Sequence, residues 1–79
     1  MNATKKHDMT VPGSVNRNGQ RVVGFVRKDS GNPLNAIYHV SCTLCAFDYG
    51  AYSNDLWQRK CPGCQEGREG VEIEVVHAD

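Results

Sequence analysis

Four cysteines in two short pairs constrain this chain more than any other feature: Cys42-Thr43-Leu44-Cys45, then fifteen residues, then Cys61-Pro62-Gly63-Cys64. Two residues between cysteines let a tight turn aim both sulfurs at one point. Two such knuckles then complete a tetrahedron of thiolates about 2.3 Å from a metal ion. The separation of the pairs falls in the range associated with zinc. A closed shell of four sulfurs leaves no position for water, so the pattern predicts one structural Zn²⁺ held by Cys42, Cys45, Cys61 and Cys64, and it disfavours Lewis-acid catalysis.

The size of the chain makes such a staple necessary. Seventy-nine residues, 39% of them hydrophobic, form at most one domain with a thin core, and domains of this size usually need disulfides, a metal or a partner. The choice depends on compartment. Lys5 and Lys6 are followed by no apolar run, and the longest apolar stretches, residues 22–26 and 71–76, are too short to span a bilayer. A cytoplasmic location is therefore expected, where paired cysteines serve as metal ligands more often than as disulfides. Disulfides, a redox-active Cys-x-x-Cys and bound iron are the alternatives. The redox reading lacks the alternating strands and helices of a thioredoxin-like unit around either pair.

Elsewhere the residues point to short strands. The first ten are polar and aperiodic, which predicts a flexible tail over residues 1–10 and a domain over 11–79. Asn18-Gly19 is the strongest hairpin signal. Residues 21–27 are rich in β-branched and aromatic side chains, and residues 34–41 form a second such run that leads directly to Cys42. Residues 46–56 show no period and read as a loop with one helical turn after Ser53, residues 57–60 as a short strand, and residues 71–75, which alternate Val, Glu, Ile, Glu, Val, as a half-buried strand. The expected fold is small and mostly β, with antiparallel hairpins around one four-cysteine zinc site at the end of the sheet.

Charge bears on partners. Nine Lys plus Arg balance nine Asp plus Glu, which removes the basic bias of most nucleic-acid binders. The balance hides a polarity, because residues 1–40 carry six cations against two anions and residues 41–79 three against seven. Arg27, Lys28, Arg59 and Lys60 are candidates for a phosphate-binding face, with Phe47, Tyr52 and Trp57 as stacking surfaces. The same arginines can instead pair with Asp55, Glu66 or Glu69. Tyr49 and Trp57 are expected to pack over the knuckles as core aromatics, and His39 to be an exposed strand residue. No nucleophile paired with a base, no carboxylate pair and no glycine-rich phosphate loop occurs, so no catalytic residue is assigned and the chain is read as non-enzymatic.

Two resemblances attach to these residues. Tyr49-Gly50-Ala51, Asp55, Arg59-Lys60-Cys61-Pro62-Gly63-Cys64-Gln65, Gly67 and Gly70 resemble a recurrent segment of small bacterial zinc-ribbon proteins, some from mobile elements. In that pattern a glycine stands where this chain has Glu66, and often a histidine where it has Trp57. The resemblance covers a quarter to a third of the chain and implies a zinc ribbon without implying an activity. Cys45-Ala46-Phe47-Asp48-Tyr49 with Cys61-Pro62-Gly63-Cys64 also resembles the two loops of a rubredoxin, which would imply an iron electron carrier. Here the connecting loop is far shorter, and Ala46 and Gln65 occupy glycine positions of that family.

The sequence thus predicts a zinc-ribbon recognition module with one Zn²⁺ per chain, serving a protein partner or acting as a small inhibitory protein, with Tyr52, Trp57, Arg59 and Lys60 as partner-binding candidates. A nucleic-acid-binding ribbon and an iron carrier are the alternatives.

Overall fold

The computed structural model describes residues 9–74. Three antiparallel strands form one sheet in the order β1-β2-β3: β1 Gln20–Asp29, β2 Asn32–Cys42 and β3 Asp48–Tyr52. A 3-10 helix, Ser53–Gln58, follows β3 directly. Among the described residues no helix is long and apolar enough to cross a membrane.

β1 and β2 are the hairpin that the two β-branched runs predict. Its turn is closed in part by the Asp29 carboxylate, which accepts from the Gly31 N–H at 3.2 Å. The register places Gln20 opposite Cys42 and Val22 opposite Val40, with irregularities between Val22 and Gly24 and between Phe25 and Arg27. Each irregularity inserts an extra residue and raises the local twist. At the other end the Asn18-Gly19 turn folds residues 13–16 back along the start of β1: the Gly13 N–H donates to Val22 O at 2.7 Å and Asn16 N–H to Gln20 O at 2.9 Å.

One face of the sheet carries the core. Val22, Val40, Tyr49 and Ala51 project from the three strands to that side and are covered by Leu56 of the 3-10 helix and by Met9. Met9, within the expected tail of residues 1–10, is buried against this cluster, and residues 1–8 lie outside the described residues. Among the described residues this cluster is small for a domain, and four polar residues, Asn16, Gln20, Asp55 and Arg59, are buried as well.

Two local expectations are corrected. Residues 48–52 are a strand and not a loop. Asp, Gly and Ala disfavour strands on their own, but Tyr49 pairs with Val40 and Ala51 with Tyr38, so burial on the core face outweighs propensity. Residues 57–60 are not a strand. The 3-10 helix occupies residues 53–58, buries Leu56 and leaves Trp57 half-exposed, before Arg59 returns to extended geometry. The helical turn expected after Ser53 is present.

The expected strand at 71–75 is represented by one antiparallel bridge, in which Gly50 N–H donates to Val71 O at 3.0 Å and Val71 N–H to Gly50 O at 2.8 Å; residue 75 lies outside the described residues. A Cβ at Gly50 would sit 2.6 Å from both Val71 O and Ile73 Cγ2. Glycine is what lets this segment close on the outer edge of β3.

Candidate metal centre

The first knuckle grows out of the sheet. Cys42 is the last residue of β2, and its backbone is held on both sides: its N–H donates to Phe47 O at 2.9 Å, and its carbonyl accepts from Ala46 N–H at 2.8 Å. The chain reverses between these bonds through Ala46, whose φ of 66° is in the left-handed region. The second knuckle follows the 3-10 helix and reverses in the same manner. The Cys61 carbonyl accepts from Gln65 N–H at 3.1 Å and Gly67 N–H at 3.0 Å, and Glu66 takes the left-handed residue with φ 56°. In both pairs the first cysteine is buried and the second exposed.

The four sulfurs lie within 4.8 Å of one another. Cys42 Sγ is 3.7 Å from Cys64 Sγ, and Cys45 Sγ is 3.6 Å from Cys61 Sγ. A tetrahedron with metal–sulfur bonds of about 2.3 Å has edges of about 3.8 Å, so the pairs that face each other across the knuckles stand one coordination edge apart. Backbone N–H groups point at the sulfurs as a thiolate requires: Leu44 to Cys42 at 3.4 Å, Gly63 to Cys61 at 3.2 Å and Cys64 to Cys61 at 3.4 Å. The donor set, the edges and the N–H groups all fit a four-coordinate metal ion.

In the metal-free chain the sulfurs share charge unequally. Burial pushes the Cys42 thiol up, but hydrogen bonds from the Gln20 amide and the Leu44 and Cys45 N–H groups outweigh it and bring the pKa down to about 6. Cys64 is pushed up to about 12, chiefly by its contact with the Cys45 sulfur and by burial. The Phe47 N–H favours the Cys45 thiolate, yet burial and the Cys61 sulfur leave that pKa raised. Cys42 thus ionises before Cys45 and Cys64, which hold their protons until a cation replaces them.

A buried amide network ties the knuckles together, and nothing in the sequence announces it. Gln20 Nε2 donates to Cys42 Sγ at 3.2 Å, while Gln20 Oε1 accepts from the Tyr49 hydroxyl at 2.9 Å. Burial, against the opposing pull of Arg59, raises the Tyr49 pKa to about 12. The phenol therefore stays a donor and fixes which end of Gln20 faces the sulfur. Gln65 Oε1 accepts from Cys61 N–H at 2.7 Å, and Gln65 Nε2 donates to Asn18 O at 2.9 Å. Asn16 has every polar position filled: its Nδ2 donates to Leu56 O and Arg59 O at 2.8 and 2.9 Å, and its Oδ1 accepts from Asn18 and Gln20 N–H at 2.8 and 3.0 Å. Of these, Gln65 stood in the zinc-ribbon pattern; Asn16 and Gln20 carry no signal that sets them apart from solvated polar residues.

The partner-binding candidates sit in different settings. Arg59 is buried, with Nη1 3.2 Å from Asp55 Oδ2, Nη2 donating to Arg68 O and its guanidinium 5.1 Å over the Tyr49 ring. Arg27 donates to Glu72 O at 3.1 Å. The expected phosphate face of Arg27, Lys28, Arg59 and Lys60 is therefore not a single surface: Arg59 pairs with Asp55, and Lys60 alone of the last two is exposed. Tyr52 is half-buried at the end of β3, and Trp57 half-exposed on the 3-10 helix. The second knuckle is covered by Phe47, whose ring lies 3.5 Å from where a Gly63 Cβ would be and stacks on Tyr49 at 6.0 Å. His39 is half-buried, its Nε2 2.8 Å from Asp48 Oδ1.

Fold and site together define a small, mostly β protein whose four cysteines stand close enough together to hold a metal ion. No family model, curated protein or solved structure matches the chain.

Proposed function

We propose that the chain is a non-enzymatic zinc-ribbon module in which Zn²⁺ is scaffold and the apolar rim of the metal end docks on a protein. The observation that carries this reading is the placement of Leu44 and Phe47. Both belong to the first knuckle and its exit, and they remain 69% and 44% exposed although the core is short of apolar side chains. Trp57, 48% exposed, adds a third large apolar side chain on the 3-10 helix. Exposed aromatic side chains such as Phe47 and Trp57 are enriched at protein interfaces. The net charge of zero and the acidic residues after Cys64 oppose a phosphate backbone. The zinc-ribbon resemblance supports a bacterial or mobile-element origin, and an inhibitory protein is one form that this docking function takes.

Affinity capture from the native host, with and without nuclease, tests it. A protein should be retained after nuclease treatment and lost with Leu44→Ser or Trp57→Ala, each costing about 2 kcal/mol of binding. The exposed Arg21, Arg27 and Lys28 on β1 favour a second reading, a nucleic-acid ribbon. That reading requires binding that nuclease abolishes and that weakens steeply with salt.

A further inference from the structure

A groove of about 530 Å³ lies beside the second knuckle, lined by Arg17, Lys60, Arg68, Arg59, Asp55 and Glu66 among others. Its cations come from three separate stretches of chain: the turn before β1, the approach to Cys61, and the segment after Cys64. Gly67 makes their meeting possible, because a Cβ there would lie 2.2 Å from Lys60 O. The groove is thus built by the same close approach that completes the metal site.

Its charge is unbalanced. Arg59 and Arg68 both bind Asp55 Oδ2, at 3.2 and 2.7 Å, so two guanidinium groups share one carboxylate. Arg17 and Lys60 have no ion-pair partner among the described residues. Glu66 is the remaining carboxylate of the lining, which leaves four cations against two anions. Arg68 is 76% exposed, and the guanidinium hydrogens not given to Asp55 are open to a ligand.

We infer that this groove is a binding site for a phosphate monoester of about mononucleotide size. The volume lies within the range of small-molecule sites. A monoester carries a charge of about −1.5 to −2 near neutrality, which matches the surplus of the lining. A carboxylate or a phosphodiester would cancel only half of it. Guanidinium forks from Arg17 and Arg68 with the Lys60 ammonium suit a tetrahedral anion with several oxygens. This site is separate from the apolar rim and does not depend on the docking proposed for it.

The test is an NMR titration of the zinc-loaded chain at constant ionic strength with inorganic phosphate, adenosine monophosphate, dimethyl phosphate and an unphosphorylated oligonucleotide. Phosphate and the mononucleotide should give saturable shifts of the Arg17, Lys60, Gly67 and Arg68 amides, and dimethyl phosphate should bind at least about tenfold more weakly. Arg17→Ala and Lys60→Ala each remove a charged contact worth about tenfold or more in affinity. Both side chains are exposed, so Tm and zinc content should be unchanged. Shifts that do not saturate, equal binding of the diester, tighter binding of the oligonucleotide than of the mononucleotide, or unchanged affinity in Arg17→Ala/Lys60→Ala would each overturn the assignment.

Discussion

The two knuckles present the same sulfur geometry by different means. The first is an extension of the sheet: Cys42 ends β2, and main-chain bonds to Phe47 and Ala46 hold it on either side. The second follows a single 3-10 helix; main-chain bonds from the Gln65 and Gly67 N–H groups to the Cys61 carbonyl close its turn, and side-chain amides position it. Asn16 binds the carbonyls of Leu56 and Arg59, and Gln65 binds the Cys61 N–H and the Asn18 carbonyl. Main-chain ladders tolerate changes of side chain, whereas a buried amide with every position filled tolerates none. The first knuckle should therefore be the preformed half of the site and the second the half that the metal and the amides complete.

Removing the metal gives the largest expected effect. Structural zinc contributes about 10 kcal/mol or more in small domains, and the small apolar cluster seen among the described residues does not replace it. After chelation, or in Cys61→Ser, hydrogen exchange should accelerate at the Gln65 and Gly67 amides before it does at Cys42 and Ala46. Simultaneous loss of protection in both knuckles would break the distinction between them.

Proton competition ranks next. Near neutral pH Cys42, lowered to about 6, is already ionised, while Cys45 is raised and Cys64 stands at about 12. Zinc must then displace protons from Cys45 and Cys64, so affinity should rise by at least about 100-fold per pH unit between pH 7 and 8. Below about pH 6 Cys42 also binds a proton, and the fall in affinity should steepen by a further factor of about ten per unit. Competition with a chelator across pH 5.5 to 8 measures both slopes; a flat profile would contradict the assigned order of ionisation.

Asn16→Ala should follow, at about 3 kcal/mol of stability, because it strands the carbonyls of Leu56 and Arg59 and the N–H groups of Asn18 and Gln20. Its damage should fall on the second knuckle, seen as faster zinc release with Val22 and Val40 still protected. The smallest effects come from the two left-handed residues. Ala46→Gly and Glu66→Gly each relieve a conformation that costs a non-glycine residue about 1–2 kcal/mol, offset in part by unfolded-state entropy. A gain of about 0.5–1 kcal/mol by thermal denaturation is expected in each, and destabilisation in either would show that the side chain does more than occupy the turn.

What the sequence shows and hides follows from the same physics. The cysteine spacing is legible because tetrahedral coordination restricts both residue type and separation. The β1–β2 hairpin is legible because Val22, Phe25, Ile37 and Val40 sit in runs of high strand propensity. β3 is not, since Asp48-Tyr49-Gly50-Ala51-Tyr52 becomes a strand only when β2 offers a ladder and the core receives Tyr49. The sequence offers Asp55 as one partner for Arg59; only the fold shows that this pair is buried and that Arg17 and Arg68 line the same groove as Lys60. The amides are hardest to foresee, because partners forty or more residues away leave no local trace.

X-ray absorption at the metal edge of protein purified from its native source identifies the metal and its ligands together. One zinc per chain with four sulfur ligands at about 2.3 Å is the expected result. An iron edge, nitrogen or oxygen in the first shell, or cysteines oxidised to disulfides without metal would contradict it.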